Sequence, residues 1–72
     1  MSIKFGKILK ELRTKNDMSQ KELADEMNIE RTKVVRWETG KYEPNLNELE
    51  KIADLFNVTA DYLLGRILTP FS

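Results

Sequence analysis

Residues 19–40, SQKELADEMNIERTKVVRWETG, hold the pattern that decides the fold. Ser19 is a good helix N-cap, and Glu22, three positions on, completes a capping box in which hydroxyl and carboxylate each satisfy a backbone amide. Met18 and Leu23 sit where a hydrophobic staple forms. The spacing predicts a helix over 20–27 that turns Leu23, Ala24 and Met27 inward. Asn28 is the expected turn residue, because asparagine tolerates the left-handed conformation that ends a helix. Ile29 then plugs the corner. A second helix follows over 31–39, with Val34 and Trp37 inward and Gly40 as its stop.

Working outward, Phe5, Ile8, Leu9 and Leu12 recur at three- and four-residue steps with lysines between them, which predicts an amphipathic helix over 3–15. Asn16 and Asp17 interrupt it. On the other side, 41–44 reads as a loop, since Pro44 biases its predecessor away from helix. Asn45 with Glu48 repeats the capping logic for a helix whose inward stripe is Leu46, Leu49, Ile52, Ala53 and Phe56. Asn57 ends it. Thr59 caps a short last helix running to Leu64, and Gly65 stops that. No segment alternates at period two, so the expected class is all-α: a compact bundle of five helices.

Composition narrows the field further. Seventy-two residues leave room for one domain, and a chain this size buries only about 60% of its unfolded surface. Without cysteine or histidine, the commonest transition-metal ligands and the usual nucleophile–base pairs are missing, so neither a metal nor a cofactor is expected. Apolar runs are too short for a membrane span or a secretory signal, which points to a cytoplasmic domain. Twelve basic and twelve acidic side chains cancel, with an isoelectric point near 6.2. The charges nonetheless alternate in blocks. Residues 1–15 and 31–41 are basic, whereas 16–30 and 43–61 are acidic, and such blocks suggest one face of each sign.

Two short helices joined by a tight turn have the spacing of a helix-turn-helix, whose second member enters the major groove of B-DNA. A plain helical hairpin within a bundle would satisfy the same hydrophobic spacing, so the outer face has to discriminate. With Val34 taken as the core direction, Thr32 points about 160° away, Arg36 about 200° and Thr39 about 140°. Arg31 and Lys33 flank that face, and Val35 lies at about 100°. The surface is short, basic and hydroxyl-bearing, with no acid opposite the core. Arginine pairs with guanine O6 and N7, threonine bonds base edges, and Val35 suits a thymine methyl.

These residues resemble the Cro/CI-type helix-turn-helix family of phage repressors and bacterial Xre-like regulators. The likeness covers nearly the whole chain. Its specific elements are Ser-Gln-x-x-Leu-Ala at 19–24, Trp-Glu-x-Gly-Lys at 37–41, Pro44, and Val-x-x-Asp-x-Leu-Leu at 58–64. The resemblance implies a lambda-repressor-like DNA-binding domain over residues 1–65 with a short C-terminal tail, 66–72. It implies base contacts from Arg31, Thr32, Lys33 and Arg36. Phosphate contacts fall to Gln20, Thr39, Gly40 and Lys41, and Gln20 has the alternative of bracing a recognition side chain. Arg13 and Glu38 match a structural ion pair, and breaking one such pair, if buried, costs roughly 3–5 kcal/mol.

The chain departs from the family pattern at three points. Asn28 and Asn57 replace glycines, and Glu30 replaces the serine or threonine that commonly caps the recognition helix. Glu30 is expected to cap that helix, with acceptance from cytosine N4 as the alternative. Ile67, Leu68, Pro70 and Phe71 in the tail either fray or support a dimer contact.

The expected function is a sequence-specific regulator of transcription, a repressor, that binds a palindromic operator on double-stranded DNA as a homodimer. The competing function is a protein-interaction module such as an antitoxin or anti-repressor, whose acidic helices would bind a basic partner. An enzyme acting on a small molecule is disfavoured. Asp25 and Glu26, or Glu48 and Glu50, point to different helix faces, and no glycine loop cradles a phosphate.

Overall fold

The computed structural model describes residues 3–66. Those residues form five helices and no strand: α1 (Ile3–Lys15), α2 (Gln20–Met27), α3 (Arg31–Glu38), α4 (Leu46–Phe56) and α5 (Ala60–Leu63). Three begin at a capping side chain and all five end at a left-handed residue. Ser19 and Asn45 make full capping boxes with Glu22 and Glu48, and the Thr59 side chain accepts from the Tyr62 amide. The helix ends share one geometry. Asp17, Asn28, Gly40, Asn57 and Gly65 all have positive φ, between 56° and 82°. At each, the next amide reaches back to a carbonyl five residues earlier: Met18 to Arg13, Ile29 to Ala24, Lys41 to Arg36, Val58 to Ala53 and Arg66 to Asp61. This is the Schellman closure, which satisfies carbonyls that would otherwise be orphaned.

The core gathers one stripe from each helix around Trp37. Phe5, Leu9, Leu23, Ala24, Val34, Ile52 and Leu63 are buried with it. Phe5 meets the Trp37 ring edge to face, with centroids 6.2 Å apart and planes at 85°. Such a pair adds about 0.5–1.5 kcal/mol beyond the area it buries. Met18, Ile29 and Val58, each just past a left-handed corner, pack against the same core. The corners therefore serve as plugs as well as turns.

Four expectations need correction. The third helix ends at Glu38, and Thr39 is its cap. The last helix ends at Leu63, with Leu64 outside it. Leu46 is 77% exposed and does not belong to the inward stripe of α4. It is the first residue of that helix, and helical side chains lean toward the N-terminus, so this one projects off the open end. Glu30 makes no side-chain capping bond to α3. Glutamate, one methylene longer than aspartate, is not among the side chains that readily fold back onto the first-turn amides. The tail residues Ile67, Leu68, Pro70 and Phe71 lie outside the described residues.

Candidate nucleic-acid interface

The second helix of the motif owes its position to the one before it and to α1. Ala24, buried and small, lies in the contact between α2 and α3. Gly6 lets α1 approach the end of α3 so closely that a Cβ there would lie 2.5 Å from the Trp37 carbonyl oxygen. With Val34 and Trp37 turned inward, the opposite edge of α3 is left outside. Arg31, Thr32 and Arg36 are all exposed on it, and Val35 is half-buried.

Arg13 and Glu38 form a two-pronged pair: Nε donates to Oε2 at 2.7 Å and Nη2 to Oε1 at 3.1 Å. The third nitrogen, Nη1, donates to the Met18 carbonyl at 2.8 Å. Both side chains are nearly buried, at 10% and 4% exposure, so water screens the pair weakly and each charge depends on the other. Glu38 Oε1 also accepts from Gln20 Nε2 at 3.1 Å, and Gln20 Oε1 accepts from Arg31 Nη1 at 3.3 Å. A continuous line of hydrogen bonds thus runs from the buried pair to an arginine on the exposed edge. Of the two roles open to Gln20, bracing a neighbouring side chain is the one this geometry displays.

Arg36 has a different support. Its Cζ lies 5.2 Å from the centroid of the Tyr42 ring, and its Nη1 donates to the Tyr42 hydroxyl at 3.3 Å. Thr39 spends its hydroxyl on the Arg36 carbonyl at 3.3 Å, leaving the oxygen able to accept from outside. Lys41 is exposed beside it. At Gly40 a Cβ would meet nothing within 4 Å, so the glycine is required by its φ of 82° alone.

Lys33 lines the same side of α3 but is engaged by the protein itself. Its ammonium pairs with Glu48 at the start of α4 and lies 5.9 Å above the Trp37 ring. The sequence places it near Arg31 and Thr32, yet the fold spends its charge on holding α4 to α3. Burial on its own would raise the Glu48 pKa. The hydrogen bond from Lys33, that from the Asn45 amide and the charges of Lys33 and Lys51 outweigh it, and the carboxyl titrates below its ordinary value.

An open groove runs along this side of α3, lined by Ile29, Glu30, Thr32, Lys33, Arg36 and Tyr42. Tyr42 is the residue that sequence reasoning missed. It sits in a loop, where hydrophobic periodicity says nothing. The available signal was an aromatic two residues past the helix-stopping glycine, within reach of an arginine that ends a basic edge. Among the described residues no cluster of acidic side chains is arranged to hold a metal ion, and no helix is long and apolar enough to cross a membrane.

Known proteins with similar sequences share this motif. The helix-turn-helix family model matches residues 9–63. An HTH-type transcriptional activator, BcrR, from Enterococcus faecalis is 39% identical over 63 residues, which cover 88% of this chain and 31% of that protein. The HTH-type transcriptional regulator ImmR from Bacillus subtilis is 40% identical over 62 residues, covering 86% of this chain and 49% of its own length. A cryptic phage transcriptional repressor, RstR, from Vibrio cholerae is 37% identical over 51 residues, covering 71% of this chain and 46% of its own. The chain thus spans between about a third and a half of the length of these relatives. By its matched motif and by the fold that presents it, this chain belongs to the Cro/CI-type helix-turn-helix family, a non-enzymatic family of DNA-binding transcriptional regulators.

Proposed function

We propose that the chain reads an operator in double-stranded DNA by inserting α3 into the major groove, as a homodimer in the cytoplasm on a two-fold symmetric site, and that it acts as a repressor. The observation that carries the reading is the exposed edge formed by Arg31, Thr32 and Arg36 on the side of α3 away from the core. In this arrangement the two arginines and the threonine address base edges, where guanine O6 and N7 suit a guanidinium. Lys33, held by Glu48, stays out of the groove unless that pair opens. Thr39, Lys41 and the main chain at Gly40 address the phosphate backbone, with Gln20 steadying Arg31 from behind. Glu30 makes no capping bond and lines the groove near Thr32, which supports the alternative that it accepts from cytosine N4. Relatives named as an activator and as a repressor both share the motif.

The test is selection of bound sequences from a random pool of double-stranded DNA, followed by titration of variants against the enriched sequence. A motif with two-fold symmetry is the expected outcome. Arg36→Ala is expected to lower affinity by about 1–3 kcal/mol and to relax preference at one base pair per half-site. Lys41→Ala, by contrast, weakens all sequences alike and flattens the salt dependence. If no sequence is enriched, or if Arg36→Ala leaves affinity and preference intact, α3 is not the reading element.

A further inference from the structure

We propose that Tyr42 is a positioning residue for Arg36, setting how sharply the protein discriminates at the base pair Arg36 addresses. The inference rests on the major-groove reading above. An arginine on an exposed helix edge has four rotatable side-chain torsions, and bidentate recognition needs its plane and direction fixed. Tyr42 supplies an anchor for that side chain, through its ring and its hydroxyl. The ring centroid is 5.2 Å from Arg36 Cζ, within the range of cation–π attraction. The attraction to the ring takes up no N–H donor. The one donor in use, Nη1, makes a long 3.3 Å bond to the Tyr42 hydroxyl, which leaves the rest of the fork available to a base.

The tyrosine is itself held in register with the arginine it supports. The Tyr42 and Lys41 amides both donate to the Arg36 carbonyl, at 3.2 and 2.9 Å. The left-handed step at Gly40 is what turns the chain back to make these bonds. Arg36 and Tyr42 are therefore tied together through their main chains as well as through their side chains. Tyr42 is 48% exposed, so it is not a core residue that happens to touch an arginine. It lines the same open groove as Thr32 and Arg36, which places it beside the reading edge.

The experiment uses the full chain and the double-stranded sequence enriched by the unaltered protein, together with its single base-pair variants. Arg36→Ala first identifies the base pair that Arg36 reads. Tyr42→Leu is then expected to reduce discrimination at that base pair about two- to five-fold, the range for one such stack at an exposed site, while preferences elsewhere in the half-site hold. Tyr42→Phe keeps the ring and is expected to retain most of the discrimination. Added to Arg36→Ala, the Tyr42→Leu change is expected to have no further effect on preference. Thermal melting checks that both variants stay folded.

The proposal fails if Tyr42→Leu weakens all base-pair variants equally. It fails too if the loss adds in full to that of Arg36→Ala, since the tyrosine would then contact DNA on its own account. Should Arg36→Ala itself leave every preference unchanged, the major-groove reading falls, and this proposal falls with it. That outcome is distinguishable from the other two because it appears before Tyr42 is altered.

Discussion

A methyl group at position 6 would lie 2.5 Å from one backbone carbonyl oxygen and 2.9 Å from the next, those of Trp37 and Glu38. Neither is the far end of a flexible side chain, so the helices themselves would have to part. Gly6→Ala is expected to lower stability by about 1–3 kcal/mol through overpacking, despite the better helix propensity of alanine. Thermal melting followed by circular dichroism checks it, and an unchanged or raised melting temperature would mean that α1 and α3 have slack between them. Gly6 was not legible in the sequence. A glycine inside an amphipathic helix acquires meaning only once the partner crossing it is known. Tyr42 escaped notice for a related reason, because loops carry no period. Arg13 and Glu38 were legible only as a matched pair of positions, and the fold adds what the matching lacked: near-complete burial and the link onward through Gln20 to Arg31.

At the next scale helix ends were readable where a capping box or an asparagine corner marks them, and not at the ends of α3 and α5 or at Glu30. Capping boxes at Ser19 and Asn45 and left-handed corners at Asn28 and Asn57 are local chemistry, decided by residues a few positions apart. Leu46 misled because a helical wheel has no ends: it assigns a face to the first residue without knowing that nothing covers it. The link between α3 and α4 gives a prediction of its own. Glu48 titrates below its ordinary value when folded, so the native state releases this proton more readily than the unfolded chain. The resulting stabilisation is full above the unfolded pKa, near 4.5, and is lost as pH falls through the folded one. Glu48→Gln keeps an acceptor for the Asn45 amide but removes the charge facing Lys33. Urea melts between pH 3 and 7 are expected to show the variant less stable at neutral pH and the gap closing toward the acid end. A gap independent of pH would assign the contribution of Glu48 to packing.

For the molecule as a whole, size constrains assembly. The longest extent is 29 Å, somewhat less than the 34 Å or so that separates successive major-groove faces on one side of B-DNA. At that spacing the described residues of two copies have little surface to share. The proposed dimer is therefore expected to be weak in solution and completed on DNA. Sedimentation at about 1 µM is expected to find monomers, whereas titration of a two-half-site duplex is expected to be cooperative and of a single half-site not. Stable dimers at that concentration would require a broader interface than side-by-side packing provides. The left-handed step that closes all five helices has a consequence for how the chain reaches its structure. It makes each reversal of direction abrupt, so that α2 packs on α3 and α4 on α5 across short turns, while α1 closes on α3 and α5 from farther along the chain. Refolding within milliseconds is expected, as for small helical domains generally, leaving a transiently opened molecule little time to meet a protease or another open copy.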